Sequence, residues 1–488
     1  MNFLKIVIAL SLILITSQIA PGQRVNKQQR AAEVRTEFLH AWNGYKKYAW
    51  GHDDLKPLSK TYHDWYAEPL LMTPVDALDT MILMGMKDEA KTTREYIATH
   101  LSFDRDIDVQ NFEITIRLLG GLLSNYELTG DKRLLNLAED LGNRLLPVFE
   151  SPTGLPYRYV NLKTGKVRGN VTNPAEAGTL LIEFGTLARL THRQIFYDKA
   201  KRALVEIYNR RSPNGLVGTW INVETGQWTD TDSHISGAID SYYEYLLKCA
   251  ILFNDQDCRR MWAESIKAID SYLRDDKITR KCIWDNCDVN PELWYGHANM
   301  NTGARTDTTY GALDAFFPAV LALAGDLNNA TLLQESSFKM WTKEGIEPEE
   351  IDYQTMTIKS PGYPLRPEIV ESTYYLYHYA TLSNSFRRTR PSSPAQVPPL
   401  NGSLSKLDAN HYVQMADTMW RDFVKYCRTD EGYAALKSVV TKEKNDSMQS
   451  FLFAETFKYF YLLFASPKTL DFDRVIFNTE AHPVRRKW

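Results

Sequence analysis

Cysteine is scarce. The chain of 488 residues holds five, an odd and small number that excludes a disulfide scaffold as the source of its stability. Cys282 and Cys287 are near enough for one local bridge, and their C-x4-C spacing has no matching His or Cys partner for zinc. An excess of one charge is also missing: 57 Lys and Arg face 60 Asp and Glu, a net charge of −3. Without a basic surplus nothing drives phosphate binding, which argues against nucleic acid as a partner. No Gly-rich phosphate loop, HExxH, GxSxG or CxxC motif is present to offer a competing chemistry.

Long apolar runs are confined to the beginning of the chain. Lys5 precedes the run Ile6–Ile15, followed by Thr16, Ser17 and Gln18 and then Ala20-Pro21-Gly22. The run is short of the ~20 residues of a membrane span and reads as a signal peptide over 1–22, an uncleaved anchor being the alternative. Residues 23–488 are then expected to form one exported or lumenal domain, a monomer with no membrane span.

Aromatics are plentiful, at 12% with 27 Tyr and 11 Trp, which suits a large core or a carbohydrate-facing cleft. Helical periodicity dominates. About fourteen segments, from Arg30–Trp50 to Ser450–Phe464, carry apolar residues at three- and four-residue steps, as in Ile116, Leu119, Leu123 and Tyr126. Turn signals such as Thr129-Gly130-Asp131 separate them. One internal repeat is informative: Ser151–Gly165 recurs as Ser212–Gly226, 61 residues on, and both copies read as short β-hairpins with a Thr-Gly turn. With two helices between copies, the spacing predicts seven helical pairs. The expected fold is all-α, an (α/α)7 barrel with short β-hairpins at one end; an open solenoid is the alternative. Arg390–Asn401 has a linker's composition and is read as a loop within the domain.

Several acids sit in unusual company. Glu113 and Arg117 share one face of a strongly apolar helix, as a surface ion pair or as inward-pointing functional groups. Asp240 follows the small residues Ser236-Gly237-Ala238, as an N-cap or a functional acid. Glu368 follows Arg366-Pro367 at a helix start, with Glu371 one turn on, where the helix dipole is expected to hold Glu368 ionised. Glu455 lies inside the apolar run Phe451–Tyr461, facing a core or a cavity. The terminal Phe477-Asn-Thr-Glu-Ala-His-Pro483 offers oxygen ligands for a hard cation. Separate acids on separate helices suggest glycoside hydrolysis by a carboxylate pair.

Taken together these stretches resemble class I α-1,2-mannosidases, glycoside hydrolase family 47. His40–Trp50, Val75–Thr80, Phe112–Leu123, Ala238–Lys248, Leu365–Tyr377, Ser450–Phe464 and Phe477–Pro483 carry the likeness, in family order. The resemblance implies Ca2+-dependent, inverting removal of terminal α-1,2-linked mannose from high-mannose glycans. It implies Glu113 as general acid, Asp240 as a second essential acid and Glu368 as general base. Thr479 is implied as the Ca2+ ligand, and Arg117, Arg366, Glu371, Phe451, Glu455 and Glu480 as residues around the sugar. The chain departs from the family's His-Leu-x-Cys-Phe pattern at Ala312-Leu-Asp-Ala-Phe316, and has Ala238 where processing enzymes carry Arg. The stretch Ala312–Ala319, with Gly432-Tyr-Ala-Ala-Leu-Lys437, resembles the branch that marks misfolded glycoproteins for degradation, for which a glycan-binding role with little turnover is the alternative function.

Overall fold

Turn chemistry cuts the chain into helices. Gly130 takes a left-handed φ of 72° and its N–H closes on the Tyr126 carbonyl, ending one helix. Asp131 then accepts from the Arg133 N–H and opens the next. In that helix, Lys132–Leu145, Leu134, Ala138, Leu141 and Leu145 are buried at helical spacing while Lys132, Arg133, Asn136 and Asn143 stay exposed. In Met72–Leu83, by contrast, every residue from Met72 to Met81 is buried. A helix apolar on one face belongs to an outer layer, and one buried all round to an inner layer.

The computed structural model describes residues 25–283, 286–388 and 407–486, with side chains omitted at 277–290 and 383–388. The signal-peptide reading of 1–22 and the loop at Arg390–Asn401 lie outside the described residues. Among the described residues the seven outer helices are Lys27–Tyr48, Lys87–His100, Lys132–Leu145, Ile195–Asn209, Gln256–Tyr272, Leu327–Glu344 and Ala409–Cys427. The inner seven are Met72–Leu83, Asn111–Thr129, Pro174–Thr191 (broken at Thr179), Asp240–Leu252, Phe317–Ala324, Glu368–Arg388 and Leu452–Phe464. Met72–Leu83 packs on both Gly120–Thr129 and Leu452–Thr456, so the inner ring closes. The fold is the (α/α)7 barrel. No described helix is long and apolar enough to cross a membrane.

Small antiparallel sheets gather between the helical pairs, and the hairpin repeat occurs more often in space than in sequence. Asn161, Asn222, Asn299 and Asp352 each turn a hairpin by accepting, through the side-chain oxygen, the N–H groups two and three residues on. The last copy alone is disguised, by Asp352 in place of Asn and Met356 in place of Gly, although Met356 keeps the left-handed φ of 57°. The structure adds a cysteine pair that the sequence spacing did not suggest. Cys249 and Cys258 form a disulfide across the turn between the helices Asp240–Leu252 and Gln256–Tyr272. Cys282 and Cys287 face each other in the register of the hairpin Arg274–Ile283/Asn286–Tyr295, but their side chains lie outside the described residues.

The C-terminal hairpin, Val475–Phe477 with Pro483–Arg485, plugs the barrel. Its tip is held from five inner helices. Asn478 Nδ2 donates to the Ile116 carbonyl and to Glu183 Oε1, both at 2.8 Å. Thr479 N–H donates to Tyr245 Oη at 3.2 Å, and Lys458 Nζ donates to the Ala481 carbonyl at 2.6 Å. His482 lies between Asp79 (2.7 Å) and Asp76 (3.2 Å), all fully buried. Gly120 permits this approach, since a Cβ there would stand 2.5 Å from Asn478 Nδ2.

Burial alone would lower the pKa of His482, but Asp79 and Asp76 raise it to about 9. Burial would raise that of Asp79, but Lys458 and His482 bring it down to about 2. A raised folded-state pKa stabilises fully below the unfolded value and loses that contribution as pH climbs through the folded one. Denaturant unfolding should therefore show stability falling between pH ~6.5 and ~9, by on the order of 3 kcal/mol from His482. In His482→Gln this slope should flatten.

Candidate active site

A cavity of about 470 Å3 opens at the barrel centre. All ten residues singled out from the sequence line it: Glu113, Arg117, Asp240, Arg366, Glu368, Glu371, Phe451, Glu455, Thr479 and Glu480. Distant segments meet here because inner helices start or bend at the same end. Asp240 and Glu368 are each the first residue of a helix. Ala238 (φ 74°) and Leu365 (φ 72°) sit just upstream in the left-handed region, where a side chain carries strain. Two other inner helices widen into π-helical turns, Thr115–Leu119 beside Glu113 and Leu452–Thr456 around Glu455, a deformation frequent at functional sites.

Glu113 and Arg117 are not a surface pair. Arg117 Nε donates to Glu113 Oε2 at 2.9 Å, and the guanidinium also pairs with Glu480. It lies 5.0 Å from the Trp65 ring centre and 5.7 Å from that of Phe451. Burial would lower its pKa, but Glu480 and Glu113 raise it, so the charge is permanent. Arg366 is held flat by two 3.0 Å bonds to Glu349.

Desolvation governs the acids. Burial pushes Asp240 to about 7, against bonds from the Ser241 N–H and hydroxyl. The expectation that the helix start keeps Glu368 ionised is overturned: burial raises it to about 7 despite Arg366 and the backbone N–H. Burial likewise raises Glu371 and Glu480 to about 8 and Glu455 well above its ordinary range.

Three groups escaped the sequence reading. Glu347 is fully buried behind the pair Arg366–Glu349, with no hydrogen bond to either carboxylate oxygen. Glu183 and Tyr245 support the Thr479 backbone from below. At the rim, Glu176 accepts from Arg158 (2.7 Å) and Gln110 (2.9 Å), and Arg158 lies over Trp220. The hairpin repeat was the available signal for that rim, because Arg158 and Trp220 both belong to it.

The donor set around Thr479 suits a hard cation. Thr479 offers hydroxyl and carbonyl oxygens, and the same cavity is lined by the carboxylates of Glu368, Glu371, Glu455 and Glu480. One Glu368 oxygen is buried without a hydrogen-bond partner. These oxygens fit Ca2+ and leave no place for a thiolate- or imidazole-bound metal.

Arg117→Lys keeps the charge but loses the planar fork that joins Glu113 to Glu480 between two rings. Steady-state kinetics should show kcat/KM reduced roughly 100-fold, a loss of about 2.7 kcal/mol of transition-state stabilisation, with near-UV circular dichroism unchanged.

Residues 37–389 and 407–486 match Glycosyl hydrolase family 47. "Alpha-mannosidase I MNS5" of Arabidopsis thaliana is 34% identical over 94% of this chain and 78% of its own length. "ER degradation-enhancing alpha-mannosidase-like protein 2" of Mus musculus is 33% identical over 92% of this chain and 77% of its own. Among solved structures, the α-1,2-mannosidase from Trichoderma reesei superposes with a TM-score of 0.78 at 28% identity, covering 94% of this chain and 99% of the other. The chain is thus an enzyme belonging to glycosyl hydrolase family 47, the class I α-mannosidases.

Proposed function

We propose that this enzyme removes terminal α-1,2-linked mannose from high-mannose glycans with inversion, in an exported or lumenal compartment and with Ca2+ as cofactor. The convergence of all ten residues on one cavity supports the reading. Glu368, when ionised, takes a proton from a water whose oxygen bonds to the anomeric carbon. Glu113 gives a proton to the departing glycosidic oxygen as the C–O bond breaks. Inverting chemistry leaves room for that water, with acid and base carboxyls ~6.5–9.5 Å apart. Arg117 and Phe451 position the sugar, and Arg366 steadies Glu368. Thr479 would hold Ca2+ through its hydroxyl and carbonyl oxygens, with Glu455 and Glu480 ordering the ion's water. Bound there, the ion supplies a fixed positive charge for sugar hydroxyls.

A second assignment of the acid rests on a specific observation. Burial holds a proton on Asp240 up to about pH 7, as a general acid requires. Substitution separates the two. Glu368→Gln should abolish turnover of every substrate. Glu113→Gln should lose most on mannosides with poor leaving groups and spare an activated aryl or fluoride mannoside. If Asp240→Asn alone shows that rescue, Asp240 is the acid and Glu113 positions water.

Metal and stereochemistry are checked separately. Exhaustive chelation, or Thr479→Ala, should reduce hydrolysis of α-1,2-mannobiose at least about 100-fold if the ion contributes as one buried charge-assisted contact or more, and Ca2+ should restore the chelated wild type. NMR of the first product should show β-mannose; α-mannose would overturn the inverting assignment.

A further inference from the structure

A second pocket, of about 460 Å3, lies beside the catalytic cavity and none of the chemistry above uses it. Its walls are the strand pair Asp54–Lys56/Thr61–His63, Trp65 and the loop Asn445–Gln449. The Asp54 carboxylate is 4% exposed. Its Oδ2 accepts from Trp65 Nε1 at 2.5 Å, while Oδ1 is buried without any hydrogen-bond partner. A buried carboxylate oxygen left unpaired is costly.

The lining states the ligand's chemistry. Asp54 accepts, the Asn445 and Gln449 amides both donate and accept, His63 stands 3.9 Å from Asp54, and Trp65 presents an apolar face. Two acids, Asp54 and Asp446, against the single Lys56 and His63 oppose an anionic ligand. Neutral, hydroxyl-rich and partly apolar describes a hexose. The pocket is also coupled in space to the site, because Trp65 packs on the Arg117 guanidinium, whose other neighbouring ring is Phe451. Trp65 lines this pocket while Arg117 and Phe451 line the catalytic cavity, so the two meet at the Trp65–Arg117 contact.

We propose that this pocket is a second sugar subsite, which holds a mannose unit on another branch of the glycan whose terminal residue occupies the catalytic cavity. The inference rests on the glycan-trimming reading above. Binding of the second branch would pay in affinity for large substrates and leave small ones unaffected.

The test compares substrates across variants outside the catalytic machinery. Gln449→Ala and His63→Ala should each raise KM for a branched high-mannose oligosaccharide roughly five- to tenfold, the worth of one or two hydrogen bonds. Their kcat/KM on α-1,2-mannobiose should stay at the wild-type value. A parallel loss on both substrates, or none on either, would overturn the subsite. Binding of an α-1,3/α-1,6-mannotriose, which has no α-1,2 bond, is read by calorimetry on Glu368→Gln enzyme and on its double variant with Gln449→Ala. Saturable binding lost in the double variant supports the subsite, and no binding, or binding unchanged in the double variant, rejects it. The calorimetry needs no turnover, so inactivity of wild type on mannobiose would reject the trimming reading while leaving the subsite's own result legible.

Discussion

The architecture depends on one buried electrostatic contact, the clamp of the C-terminal hairpin by Asp76, Asp79 and Lys458 around His482. A barrel of inner helices would leave an open axis lined by helix flanks. Here that axis is filled by a hairpin tip whose backbone groups are bonded by Lys458, Tyr245 and Asn478. Charges this deep are tolerated because each has an opposite partner. Removing one partner strands the other and typically costs about 3–5 kcal/mol. The clamp therefore makes the last residues of the chain part of the core, and it fixes the height at which Thr479 and Glu480 stand in the cavity.

Above the clamp the balance of charge reverses. Lys248 pairs with Glu244, and Arg117 answers Glu113 and Glu480, yet Glu368, Glu371 and Glu455 still crowd one another. Their raised pKa values come first from desolvation, and neighbouring acids add to it: Glu349 and Asp240 at Glu368, Glu244 and Glu368 at Glu371, and Glu480, Glu368 and Glu371 at Glu455. Such a site is destabilised by itself and gains from a positive charge and from hydroxyl-rich ligands. Desolvation overrides the helix dipole at Glu368: an N-terminal position contributes fractions of a kcal/mol, whereas withdrawal from water contributes several.

Arg117 links these regions. Its guanidinium touches the acid pair, the hairpin tip and two aromatic rings, so the catalytic cavity, the plug and the neighbouring Asp54 pocket share one side chain. The π-helical turn beginning at Thr115 belongs to the same arrangement. Inside it, the Ile116 carbonyl turns to Asn478 rather than serving the helix alone.

Local physics, written in the sequence, determined much of this. Helical periodicity, Gly and Asp at turns and a 61-residue hairpin repeat are short-range signals, and they specified seven helical pairs. Carboxylates in apolar surroundings, Glu113 and Glu455 above all, stood out because an unpaired charge there is expensive; their roles came from family likeness rather than from spacing. What depends on long-range contact was decided only by the tertiary structure. Asn299-Met-Asn-Thr-Gly303 repeats the Asn-x-x-Thr-Gly of the first two copies, whereas Asp352 joins the repeat only through its turn geometry, and Cys249 meets Cys258 because two helices reverse between them. Glu347 and the Asp54 pocket had no local mark, and Glu113 became an inward group only when Glu480, 363 residues on from Arg117, arrived to complete its partner's bonds. Burial is a property of the closed ring, so the direction of the Glu368 pKa shift could not be read until the ring had closed.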